Sequence, residues 1–183
     1  MAQTPSTMLP LGTPLPAFNL KDTVSGEYIS SEKLEGKLVL VGFICNHCPY
    51  VINIIKELTA ACNEFVAQDV SVVMISSNDV DTYPQDGPEK MTAFAQEQGF
   101  KFAYCYDETQ EIAKSFDAAC TPEFYLFNGD RTLIYRGQFD SSRPKTDKTV
   151  DGFDLREAVK LGLDGKMLED QIPSVGCNIK WKS

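Results

Sequence analysis

From Leu38 to Ile44 the chain runs Leu-Val-Leu-Val-Gly-Phe-Ile without a polar side chain. That is the length of one strand, and a run apolar on both faces belongs in the middle of a sheet covered on both sides. Directly after it comes Cys45-Asn46-His47-Cys48-Pro49, and beyond Pro49 apolar residues recur at Val51, Ile54, Ile55, Leu58, Cys62 and Phe65. That is the spacing of one helical face, and it predicts a helix from Pro49 to about Gln68. Proline fits a first helical turn, whereas in the interior it clashes with the carbonyl four residues back. Cys48 is therefore expected at the N-cap.

The alternation continues. Val70 to Ser76 reads as a strand, Pro88 to Gln98 as a helix closed by Gly99, Phe102 to Tyr106 as a short strand, and Thr109 to Phe116 as a short helix. Phe124 to Phe127 and Thr132 to Arg136 flank Asn128-Gly129-Asp130, a hairpin signal. A last helix covers roughly Phe153 to Gly162. Ahead of these, residues 1–16 read as an irregular lead-in. Pro16 to Leu20 reads as a short extended segment, and Ser25-Gly26 as a turn. Residues 164–183 read as a C-terminal tail. The expected architecture is an α/β sheet flanked by helices and finished by a hairpin and a helix, in one domain spanning 1–183.

With 183 residues and 43% hydrophobic side chains the chain can bury one sizeable core. Its 26 Asp and Glu outnumber 17 Lys and Arg, for a net charge of -9 that repels phosphate backbones and anionic lipids. Neither nucleic acid nor membrane is expected as a partner. The first twenty residues carry no Lys or Arg and are broken by four prolines, unlike a signal peptide, so a cytoplasmic location is expected.

Six cysteines divide by context. Cys62, Cys105 and Cys120 lie in or beside apolar runs, where a thiol behaves as a small hydrophobe. Cys45, Cys48 and Cys177 lie in polar, turn-like stretches that suggest reactivity. At the head of a helix, free N–H groups and the dipole stabilise a thiolate, which marks Cys48 as the attacking sulfur and Cys45 as its disulfide partner. His47, the only histidine, either favours the thiolate of a neighbour or faces solvent. Zinc would need more ligands than Cys45, His47 and Cys48 supply, and haem attachment would need His where Pro49 stands, so no metal or cofactor is expected. Tyr83 to Pro88 is a rim of the site or an ordinary connection. Arg136 and Arg143 read as solvated surface, with Arg143 the one that would bring positive charge to the thiolate.

Four features together resemble the thioredoxin and peroxiredoxin superfamily, and more closely its redoxin (AhpC/TSA) branch: Pro16-Ala17-Phe18, the strand ending at Phe43 before the cysteines, Thr121-Pro122 before the strand Phe124 to Phe127, and the closing hairpin. The resemblance covers Leu11 to Arg143. It implies a thioredoxin-like fold, a cis peptide bond at Pro122 next to the active cysteine, and supporting roles for Thr121, Pro122 and Pro49. The function it implies is a thiol-disulfide oxidoreductase acting on protein or small-molecule disulfides and recycled by a thiol reductant such as a thioredoxin or glutathione system. Its rivals are a peroxiredoxin-like hydroperoxide reductase and a catalytically idle binding module.

The pattern also departs from the family. The pair is shifted upstream, with Val51 where a thioredoxin places its resolving cysteine. Cys45 and Val41 stand where a peroxiredoxin carries threonine and proline. The segment Cys120-Thr121-Pro122-Glu123 shows no arginine, and Gly42 replaces the buried acid of thioredoxins. Two thiols stay open as secondary participants. Cys120 is either an inert core thiol or a neighbour of the active sulfurs. Cys177, between Gly176 and Asn178, is expected in a tight turn that displays it; with Trp181 docking the tail, this thiol either comes near Cys45 and Cys48 as a second resolving thiol or belongs to a structural tail and never exchanges.

Overall fold

The computed structural model describes residues 3–183. Among these residues ten strands form, β1 (Gln3–Pro5), β2 (Asn19–Lys21), β3 (Tyr28–Ser30), β4 (Leu38–Phe43), β5 (Val70–Ser76), β6 (Ala103–Tyr106), β7 (Cys120–Thr121), β8 (Glu123–Phe127), β9 (Leu133–Gly137) and β10 (Val175–Asn178). Four α-helices accompany them, α1 (Pro49–Ala67), α2 (Pro88–Gln98), α3 (Glu111–Ser115) and α4 (Phe153–Leu163).

Five strands make the central mixed sheet, in the order β6-β5-β4-β8-β9. β4 pairs in parallel with β5 and antiparallel with β8, so it is covered along both edges. Side chains alternate across its faces. Leu38 and Leu40 enter one core with Val51, Leu58 and Phe65 of α1, Met91 of α2 and Leu155 of α4. Val39, Val41 and Phe43 enter the other with Phe18, Phe116, Tyr125 and Ile179. Every residue of β4 is buried, which is why the run is apolar throughout. No helix is long and apolar enough to cross a membrane among the described residues.

The caps follow the sequence signals. Pro49 opens α1 behind Cys48, and Gly99 closes α2 in the left-handed region at φ 77 that glycine adopts without strain. The closing hairpin forms with a different turn. The left-handed residue is Arg131, at φ 60, while the Asn128 carboxamide oxygen accepts the N–H groups of Asp130 and Thr132. That side chain organises a longer connection than a two-residue Asn-Gly turn, and β9 begins at Leu133.

Both chain ends differ from the expectation of irregular segments. β10 lies between β1 and β7 in a second, three-stranded sheet, pairing antiparallel with each. The lead-in therefore starts with a strand, and the tail contributes the middle of that sheet. Trp181 does not anchor the tail, being 42% exposed. Ile179 does so, fully buried against the second core.

Candidate active site

The site forms where β4 ends. Ile44 extends the ladder by one bond, its N–H donating to the Ile75 carbonyl at 2.9 Å, and the chain then turns through Cys45, Asn46 and His47 into α1. Cys48 is the N-cap, with extended backbone, and its carbonyl accepts the Ile52 N–H at 2.9 Å. The N–H of Val51 faces its sulfur without closing a tight capping bond.

Three sulfurs gather around Thr121. The peptide bond between Thr121 and Pro122 is cis, and the Thr121 carbonyl lies 3.2 Å from Cys48 Sγ. The Thr121 hydroxyl lies 3.6 Å from Cys45 Sγ. Cys177 sits opposite Thr121 in the β10–β7 pair, and directly opposed residues point to the same face. Cys177 is thus in a strand and buried, not displayed on a turn; the pairing with β1 and β7 overrides the turn preference of Gly176 and Asn178. All six cysteines are free thiols.

The electrostatics are asymmetric. A hydrogen bond from Cys45 lowers the Cys48 pKa to about 5, with further donation from Cys177, Thr121 and the Val51 N–H. Burial and the Thr121 carbonyl oppose this, the carbonyl being an acceptor for the thiol and repulsive to the thiolate. The donors outnumber that one acceptor, and the thiolate is favoured. The same bond with Cys48 raises Cys45 well above the ordinary thiol range, helped by burial and the charge of Asp86. Burial and the hydrogen bond to Cys48 push Cys177 up to about 12. The balance favours the thiolate at Cys48 and the thiol at Cys45 and Cys177.

Asp86 is the residue the sequence did not single out. Fully buried, it takes the His47 Nδ1–H at 2.6 Å and the Asn78 amide at 2.9 Å on one oxygen, and the Asn46 N–H at 2.9 Å on the other. Asn46 also donates to the Gln85 carbonyl, and Tyr83 stacks on His47 with ring centroids 5.5 Å apart. The stretch Tyr83 to Pro88 is therefore a rim of the site, and it fixes the loop between the cysteines. Behind Tyr83 lies the Lys180 ammonium, 5.7 Å from the ring centre. His47 is half-buried and held by Asp86, so it is not a free solvent residue. Its Nδ1 is 4.0 Å from Cys45 Sγ. Cys45, His47 and Asp86 are also the donors, among the described residues, grouped closely enough to hold a metal, within 4.8 Å of one another. They would supply three ligands, one short of a closed tetrahedral centre, and Asp86 already engages both oxygens in hydrogen bonds.

The remaining candidates lie apart. Cys120 is next to Thr121 on its strand and so faces the other way, toward the Glu123 carboxyl and the Pro122 carbonyl at 3.9 Å each. Burial raises it, as it does Cys62 and Cys105. Arg143 is half-buried, its guanidinium donating to Gln138 and to the carbonyls of Asp140 and Ser142. At Gly42 there is no room for an acid, since a Cβ would meet Met74 Sδ at 2.5 Å. A buried acid stands one strand over, at Glu123, opposite Phe43. Burial raises its pKa, and the N–H groups of Ala119 and Cys120 donate to it.

Two solved structures resemble the whole chain. An uncharacterized conserved protein from Geobacillus kaustophilus is 44% identical, with a TM-score of 0.97 over 100% of this chain and 97% of that one. A hypothetical protein from Sinorhizobium meliloti 1021 is 40% identical, with a TM-score of 0.94 over 98% and 99%. The thioredoxin domain of a thiol-disulfide oxidoreductase from Bacteroides vulgatus shares the fold at 16% identity, with a TM-score of 0.62 over 82% and 99%. No curated protein matches the chain. Residues 11–136, which hold β4, Cys45 and Cys48, the cis proline and most of the closing hairpin, match the AhpC/TSA family, and the chain belongs to that family within the thioredoxin fold.

Proposed function

We propose that this protein is a thiol-disulfide oxidoreductase in which Cys48 attacks and Cys45 resolves. The observation that carries the reading is the placement of Cys48 at the head of α1 against the cis Thr121-Pro122 peptide, with Cys45 on the Thr121 hydroxyl beside it; the lowering of Cys48 to about 5 and the raising of Cys45 agree with it. The Cys48 thiolate attacks one sulfur of a substrate disulfide, a bond forms between them, and the other substrate sulfur leaves as a thiolate that takes a proton. Once Cys48 is bonded to substrate its negative charge is gone, and the largest influence holding the Cys45 proton is removed with it. Cys45 then loses that proton and attacks Cys48 Sγ. The second substrate thiol leaves, and a Cys45–Cys48 disulfide remains, to be reduced by two electrons from a thiol reductant.

Cys48 is closed from solvent in the reduced structure, so a substrate sulfur reaches it only after local opening at the head of α1. Peroxide chemistry is less well served. The position of the expected threonine is Cys45, and the Arg143 guanidinium is held by Gln138 and two carbonyls. Oxidant titration followed by peptide mapping tests the reading. One Cys45–Cys48 disulfide per chain and loss of disulfide reduction in Cys48→Ser are expected; full activity of Cys48→Ser would overturn it.

A further inference from the structure

We propose that Cys177 is a second resolving thiol, so that Cys48 can pass its bond to a sulfur on either side. This rests on Cys48 being the attacking thiolate. The case is geometric. Thr121 touches Cys45 through its hydroxyl and Cys48 through its carbonyl, and it is paired directly with Cys177. The approach of β10 to this point is as close as backbone permits: a Cβ at Gly176 would lie 1.9 Å from the Thr121 carbonyl oxygen. Only glycine there lets the next residue reach the site. Cys177 and Cys48 lie in the same apolar core, near enough for each sulfur to shift the titration of the other. Cys120, equally buried and also near in sequence to Pro122, is turned to the opposite face, so proximity of a thiol to the site is not a general property of β7 and β10.

The exchange balances without a further reagent. In the mixed disulfide between Cys48 and substrate, Cys177 gives up its proton and attacks Cys48 Sγ. The bond to substrate breaks, the substrate leaves as a thiol after taking a proton, and a Cys48–Cys177 disulfide forms. Cys45 can then attack Cys48 Sγ in turn, releasing Cys177 as a thiol and leaving the Cys45–Cys48 disulfide. No net oxidation occurs in that second step.

The test uses the full-length Cys45→Ser protein, treated with oxidised glutathione and mapped by mass spectrometry after rapid alkylation. Glutathione is expected to appear on Cys48 transiently and to be replaced by a Cys48–Cys177 disulfide. In Cys45→Ser with Cys177→Ala the Cys48–glutathione adduct should live longer by about tenfold or more, since an adjacent thiol attacks as an intramolecular nucleophile. Circular dichroism of both variants confirms that the fold persists, and Cys177→Ser replaces Cys177→Ala if it does not. An adduct on Cys48 with the same lifetime whether or not Cys177 is present would overturn this proposal and leave the Cys48 assignment standing. No adduct on Cys48 in any variant would overturn both.

Discussion

Replacing Cys45 with alanine should move the titration of Cys48 by a measurable and bounded amount. The Cys45 thiol is the strongest of the donors that hold the Cys48 pKa at about 5. A hydrogen bond to a charged acceptor contributes about 1.5–3 kcal/mol. At about 1.36 kcal/mol per unit, its loss raises the midpoint by about one to two units, to between about 6 and 7. Near pH 6 the thiolate fraction then falls from about nine-tenths to between about one-half and one-tenth. Ultraviolet absorbance of the thiolate reads this directly, because no other cysteine of the variant interferes. Cys105 and Cys177 are pushed up to about 12, and burial lifts Cys62 and Cys120 further. Below about pH 8 the signal therefore belongs to Cys48 alone. A midpoint unchanged in Cys45→Ala, or one already near the ordinary value of 9.0 in the wild type, would refute the assignment of charge within the site.

Stability of the reduced protein should rise with pH between about 5 and 9, because across that window folded Cys48 has lost its proton and unfolded Cys48 retains it. Above about 9 the trend should reverse, since the raised Cys45 keeps a proton in the fold that the unfolded chain releases; urea midpoints across pH check both limbs. Asp86→Ala should cost about 2–4 kcal/mol in urea unfolding, by leaving His47, Asn78 and the Asn46 N–H without their shared acceptor. A loss within error would show that the rim does not hold the loop. Gly176→Ala should cost about 1–3 kcal/mol, since its methyl must displace the Thr121 carbonyl, and should raise the Cys48 midpoint as Cys177 withdraws. Unchanged titration in that variant would separate strand position from thiolate stability.

Much of this site can be read from local sequence because its determinants are local. Pro49 cannot sit deep in a helix, and that alone places Cys48 at the cap. The apolar run of β4 needs two covered faces, which only a central strand has. Thr121-Pro122 carries its family resemblance in two residues. What stayed hidden depends on partners distant along the chain. Asp86 lies 40 residues from the Asn46 N–H it accepts, in a turn whose composition looks the same whether or not a site lies beneath it. Gly176-Cys177-Asn178 has the composition of a turn and becomes a strand because β1 and β7 offer it hydrogen bonds on both edges. Trp181 is the larger side chain, yet Ile179 takes the buried position: just past the end of β10 its N–H donates to the Ala119 carbonyl and its side chain enters the second core.

The three-stranded sheet also imposes an order in time. Among the described strands β1 precedes all the others in the chain, yet its one partner in the sheet is β10, which follows them all. Until β10 has left the ribosome the first strand lacks that partner, and Cys45 and Cys48 lack the donor at Cys177. The donor at Cys177 reaches Cys48 only once β10 has paired, so a chain lacking β10 holds less thiolate than one that has it. A chain ended at Pro173 should accordingly titrate Cys48 higher than the full-length protein, and equal midpoints would show that the nascent site is already charged.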